Sequence, residues 1–116
     1  MAFQDEVDAL AQRFLEAWRR GDVAASADIY TEDAVYLVPG QEPVRGRAAI
    51  EAVAATDIAS GLKFTQLTVF HTETSGDLGY ALQTFSSSAG DGTSMLTYRR
   101  DASGAWRICA EAFLAG

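Results

Sequence analysis

From Phe3 to Trp18 the apolar residues Phe3, Val7, Leu10, Ala11, Phe14, Leu15 and Trp18 recur at steps of three and four. That period predicts one amphipathic helix with a wide apolar stripe. Arg19 and Arg20 fall in its last turn, where cations oppose the helix dipole, and Gly21 supplies a stop. Asp22 is a good N-cap for a short second helix, Val23 to Tyr30, that buries an alanine-rich face plus Tyr30. A strand follows over Ala34 to Val38 and ends at Pro39-Gly40. Gly46 then precedes a third helix, Arg47 to Ile58, with Ile50, Val53, Ala54 and Ile58 on its apolar face and Gly61 as its stop.

The period changes at Leu62. Leu62–Thr72, Leu78–Ser87, Thr93–Arg100 and Ala105–Leu114 are rich in Thr, Val, Phe, Tyr and Leu, and are separated by Ser75-Gly76-Asp77, Ala89-Gly90-Asp91-Gly92 and Asp101-Ala102-Ser103-Gly104. The spacing predicts four strands in an antiparallel meander. Three helices followed by a sheet is an α+β pattern, with the helices packed on one face. Strict alternation in the last strand puts Trp106, Ile108, Ala110, Ala112 and Leu114 on one face, and Arg107, Cys109, Glu111 and Phe113 on the other. Apolar groups on both faces imply that both are covered, one by the helices and the other by a second copy of the chain. A homodimer through the outer sheet face is the expectation.

Length and composition narrow the class. The 116 residues, 48% hydrophobic and 22% charged, suit one domain over 1–116 that builds its core without disulfides or metals. The single cysteine, Cys109, forms no intrachain disulfide and suits a reducing compartment. The N-terminus lacks a basic leader, and no apolar run approaches the ~18 residues of a membrane span, so a cytoplasmic location is expected. A net charge of −7 argues against nucleic acid or an anionic membrane as partner. The pairs Arg19-Arg20 and Arg99-Arg100 read either as an anion site or as a solvated face or intersubunit salt bridge, and the second reading carries more weight. One histidine and one cysteine leave no set for a structural zinc, and no Gly-rich phosphate loop follows a strand, so no metal and no cofactor are expected.

The helix ending AWRRGD, then YTEDAV, the loop PGQEPVRG, the helix start RAAI and the late DASGAWRICAE resemble the nuclear transport factor 2-like superfamily. Its SnoaL-like and ketosteroid isomerase-like small proteins are the nearest in pattern. The resemblance covers nearly the whole chain and implies a cystatin-like cone: three N-terminal helices on a strongly curved antiparallel sheet, dimeric through the sheet, around a mostly apolar pocket. It implies no single activity, because this fold hosts many chemistries as well as non-enzymatic dimers. Ketosteroid isomerases work with an aspartate base and with tyrosine and aspartic-acid donors. Overlaid here, those groups fall on Val38, Phe14 and, on or near it, Leu96, all of them apolar. Ketosteroid isomerisation is therefore not expected.

The same overlay aims Tyr36, Leu82, Thr84, Ser86, Tyr98, Glu111 and Phe113 into the cone, joined by Phe14, Trp18, Tyr30 and Val53 from the helices, with Val38 and Leu96 at the pocket wall. Among these Glu111 is the only carboxylate. In an apolar pocket its pKa would rise and it could exchange protons, with Tyr36 and Tyr98 as catalytic partners and Tyr30 as a further hydrogen-bonding neighbour. Alternatively it pairs with an arginine or sits at an exposed strand end. His71 reads as a general base or, with more weight, as a surface or dimer-face histidine, and Glu32-Asp33 is most simply a solvated cap. Two readings stay open: a small enzyme acting on an apolar or polyketide-like molecule, and a non-catalytic ligand-binding or dimerisation domain. Glu111 deep in the pocket beside a tyrosine hydroxyl would favour the first, and a pocket filled by Phe14, Trp18 and Phe113 the second.

Overall fold

The computed structural model describes residues 2–114. Helix α1 spans Phe3–Arg20 and ends at Gly21, which adopts the left-handed conformation expected of it. Asp22 caps α2, Val23–Ala27, by accepting the Ala25 N–H at 3.1 Å. This helix is shorter than the alanine pattern predicts. Tyr30 leaves it to open β1, Tyr30–Leu37, because Ile108 N–H captures the Ile29 carbonyl at 2.8 Å and draws the chain into the sheet. A two-residue strand β2, Val44–Arg45, has no signature in the sequence and pairs back on β1. Helix α3 covers Arg47–Ala59. The strands β3, Phe64–Ser75, β4, Leu78–Ser87, β5, Gly90–Arg100, and β6, Trp106–Phe113, complete the chain.

The six strands form one sheet in the order β2-β1-β6-β5-β4-β3. The meander β3 to β6 is antiparallel as expected, and the sheet departs from that only where β1 lies parallel to β6. A parallel neighbour needs a long crossover, and the whole of β2 through β5 supplies it. The β4–β5 turn is tighter than the Gly-rich cluster suggests, with Ser87 opposite Gly90. Gly92 belongs to the strand for a different reason: a Cβ there would lie 2.5 Å from the tip of the Phe85 ring, which closes on the bare backbone.

Bulges curve the sheet around the helices. On β3, Thr65 and Phe70 are extra residues; on β6, Thr97 faces Ala110 while Tyr98 faces Ile108, which leaves Cys109 over. The Cys109 bulge overturns strict alternation, because Ile108 and Glu111 both point inward and both are buried. The first half of α1 closes one end of the molecule. Val7 and Leu10 join Ala81, Leu96, Tyr98, Trp106 and Ile108 in the core, and the Phe3 ring meets Tyr98 and Trp106 edge-on at 5.6 and 4.9 Å. The second half of α1 faces a cavity. Among the described residues no helix is long and apolar enough to cross a membrane.

Candidate functional site

Between α1, α3 and the sheet lies an internal cleft walled by aromatic side chains. Phe14 and Trp18 of α1, Phe64 of β3, Phe85 of β4 and Phe113 of β6 contribute rings, and Tyr30, Tyr36 and Tyr98 contribute phenols. The rings interlock edge to face, as between Trp18 and Phe64 at 5.0 Å and between Phe85 and Phe113 at 5.7 Å. They leave a narrow space. The cavity volume is about 50 Å³.

Glu111 lies inside. The Cys109 bulge turns it inward, and its backbone register sets it beside Tyr36 of β1 and Leu96 of β5. The residue is 6% exposed, and its Oε1 accepts the Tyr30 hydroxyl at 2.6 Å. Such a short O–H···O contact is characteristic of a charge-assisted bond, worth about 1.5–3 kcal/mol. Burial pushes the Glu111 carboxyl up to about 7, and the Tyr30 bond opposes that rise. Burial, followed by the nearby Glu111 charge, holds the Tyr30, Tyr36 and Tyr98 hydroxyls well above the ordinary phenol range. All three therefore act as donors at neutral pH. Among the described residues the hydroxyls of Tyr36 and Tyr98 have no hydrogen-bond partner, and both residues line the cavity.

This arrangement decides between the alternatives for Glu111. Its partner is a tyrosine and not an arginine, and the tyrosine is Tyr30 rather than Tyr36 or Tyr98. Arg47 instead donates its Nε–H to the Tyr30 carbonyl at 3.0 Å and so anchors the tyrosine backbone. Phe14, Trp18, Tyr30, Tyr36, Val53, Leu96, Tyr98, Glu111 and Phe113 all wall the cavity. Leu82, Thr84, Ser86 and Val38 do not. In β4 the residues Ala81, Gln83 and Phe85 point inward, so Leu82, Thr84 and Ser86 take the opposite, outer face. That is a one-residue correction of phase. Val38 follows the end of β1 in a turn, where its carbonyl accepts the Gln41 N–H at 3.1 Å.

Three polar wall residues, Ser26, Gln83 and Asp57, escaped the sequence reading. Gln83 is buried and donates to Ser94 Oγ at 3.3 Å. Asp57 stands half-buried on α3. It had a signal, since it follows Ile50 by seven residues, Val53 by four and Ala54 by three, and so occupies the apolar stripe. His71 lies on the outside, 3.1 Å from the Tyr80 hydroxyl and 3.5 Å from Glu73. The arginine pairs make exposed ion pairs within the chain, Arg19 with Glu16, Arg99 with Asp33 and Arg100 with Asp77. Burial raises the Cys109 thiol pKa, which does not suit a nucleophile.

Comparison with known proteins gives a consistent picture of the fold. The family model described as a SnoaL-like domain matches residues 11–109. Among curated proteins no sequence match is found. A protein of unknown function with a cystatin-like fold from Nostoc punctiforme superposes with a TM-score of 0.83 at 18% identity, over 100% of this chain and 80% of its own. An NTF2-like protein with a cystatin-like fold from Novosphingobium aromaticivorans gives 0.72 at 26% identity, over 97% and 82%. A ketosteroid isomerase-like protein from Erwinia carotovora atroseptica gives 0.71 at 21%, over 94% of both chains.

Proposed function

The chain belongs to the SnoaL-like domain family, and from that footing we propose that its cavity binds a small apolar molecule carrying a carbonyl or similar acceptor, with Glu111 exchanging a proton with it. One observation carries the reading: a buried carboxyl, pushed up to about 7, stands among tyrosine hydroxyls inside an apolar cleft. A group that titrates near neutrality can both take and return a proton under physiological conditions. Tyr30 orients the carboxyl, and the Tyr36 and Tyr98 hydroxyls are free to donate to an oxygen on which charge develops. The chemistry is proton abstraction or delivery next to a carbonyl. It differs from ketosteroid isomerisation in its groups, because Phe14 and Leu96 are the apolar wall where that reaction needs donors, and Val38 lies off the cavity.

The test is α-proton exchange of a one-ring enone in D₂O, followed by NMR. Wild-type protein exchanges it, with a rate that rises as pH passes about 7 because the ionised carboxylate is the base. Glu111→Gln slows exchange by roughly 10²–10⁴ while binding persists. Exchange that is unchanged in the variant would sink the proton-transfer role. The crowding of the cleft by Phe14, Trp18 and Phe113 favours the second reading, a non-catalytic binding domain. Binding of the enone by wild type with no exchange at any pH would select it.

We further propose that a second copy of the chain covers the outer sheet face. Leu37, Ala112, Met95 and Leu82 face one another in register across β1, β6, β5 and β4, and Leu37 and Met95 are each 43% exposed. An apolar row of this kind is self-complementary about a two-fold axis.

A further inference from the structure

Asp57 is the wrong residue for its position by three separate physical criteria. It interrupts the apolar face of α3. It stands in the last turn of that helix, where the negative end of the dipole disfavours a carboxylate. Among the described residues its carboxylate has neither an ion pair nor a hydrogen bond, and burial lifts its pKa with no cation to bring it down. What Asp57 does touch is the cavity. The Trp18 indole is tied to the same helix end, because its N–H donates to the Leu62 carbonyl at 2.8 Å and Leu62 N–H donates to the Asp57 carbonyl at 3.0 Å.

The cavity has one electrostatic sign. Its charged wall residues are Asp57 and Glu111, and no lysine, arginine or histidine is among them. Aromatic side chains make up much of the rest, and an aromatic ring attracts a cation to its face through its quadrupole. An independent feature points to an occupant. Tyr98 is 2% exposed and has no partner for its hydroxyl, yet no fully enclosed side-chain oxygen or nitrogen among the described residues goes unpaired, so that hydroxyl opens into the cleft. A net charge of −7 draws cations toward the molecule and repels anions.

We infer that the cavity's occupant carries a protonated amine, seated against Asp57 at the mouth, with a one-ring apolar body directed inward to Tyr98 and Glu111. This rests on the cavity being the binding site proposed above. The limited free space sets the size, and the carboxylate and aromatic walls set the charge. Anions of the same shape are disfavoured, because no wall residue carries a positive charge to balance theirs and Asp57 repels them.

Three probes with a common phenyl body test the charge preference by isothermal titration calorimetry on the full chain: 2-phenylethylamine, 2-phenylethanol and 3-phenylpropionate. The amine binds about tenfold or more tighter than the alcohol, as a charge-assisted hydrogen bond allows, and the carboxylate gives no heat. Asp57→Asn brings the amine down to the affinity of the alcohol and does not lower the thermal melt, because it removes an unpaired carboxylate from a helix C-terminus. Equal affinities for amine and alcohol, an amine affinity indifferent to Asp57→Asn, or binding of the carboxylate would overturn the inference while leaving the cavity reading in place. Failure of all three probes to bind would remove the cavity reading and this inference with it.

Discussion

Glu111 is where burial, hydrogen bonding and titration meet in one side chain. Its ordinary pKa of 4.5 rises to about 7 in the fold because desolvation outweighs the Tyr30 bond. Between those values the native chain holds a proton that the unfolded chain has lost. Stability therefore falls as pH rises through that window and levels off above it. The full excursion is about 3 kcal/mol at about 1.4 kcal/mol per pH unit. Glu111→Gln removes the titration and retains an acceptor for Tyr30. Urea unfolding should show the variant gaining on wild type by about 3 kcal/mol between about pH 4 and pH 8. A difference that stays flat with pH would mean that the carboxyl does not titrate in this window. Tyr30, Tyr36, Tyr98 and Asp57 surround the cavity, but the phenols do not ionise in this range and Asp57 is only half-buried.

The elements hold this side chain in place through their joints. Gly46 links β2 to α3 with φ 91° and ψ 149°, a region that only glycine occupies without strain, and its N–H donates to the Ala34 carbonyl at 2.7 Å. The next residue, Arg47, grips the Tyr30 carbonyl. Gly46→Ala should cost about 1–3 kcal/mol in urea unfolding, and it should also move the Glu111 titration, because the strain falls on the segment that aims Tyr30. Wild-type stability in that variant would show that the joint can relax without cost. The β6 bulge acts on the same site from the other side. Without Cys109 as the extra residue, Ile108 and Glu111 could not both face the helices.

At the scale of the whole molecule, the helices cover one face of the sheet and leave the row Leu37, Ala112, Met95 and Leu82 on the other. Met95→Lys places a charge in the middle of the proposed subunit contact, on a residue 43% exposed in the single chain. Light scattering at micromolar concentration should find wild type as a dimer and the variant as a monomer with unchanged circular dichroism. A wild-type monomer, or a variant that remains dimeric, would place the contact elsewhere or nowhere.

Local periodicity carried the sequence a long way. The apolar steps of α1, the capping by Asp22, the change of period at Leu62 and the turn clusters are short-range features, and the helices, the four long strands and the α+β class follow from them. Phe14, Trp18, Tyr36, Tyr98 and Glu111 were legible as cavity residues because an ordered set of motifs fixed their family pattern. Other features depended on partners distant in the chain. The parallel pairing with β6 took Tyr30 from a helix into β1 and aimed its hydroxyl at Glu111. The β3–β4–β5 register set the phase of β4 and sent Leu82, Thr84 and Ser86 outward. The bulge at Cys109 replaced strict alternation in β6. Asp57 shows both levels in one residue. Its place on an apolar stripe was written in the sequence, but only packing against the sheet turned that stripe into a cavity wall, because a helix period gives a direction and tertiary structure supplies what lies there.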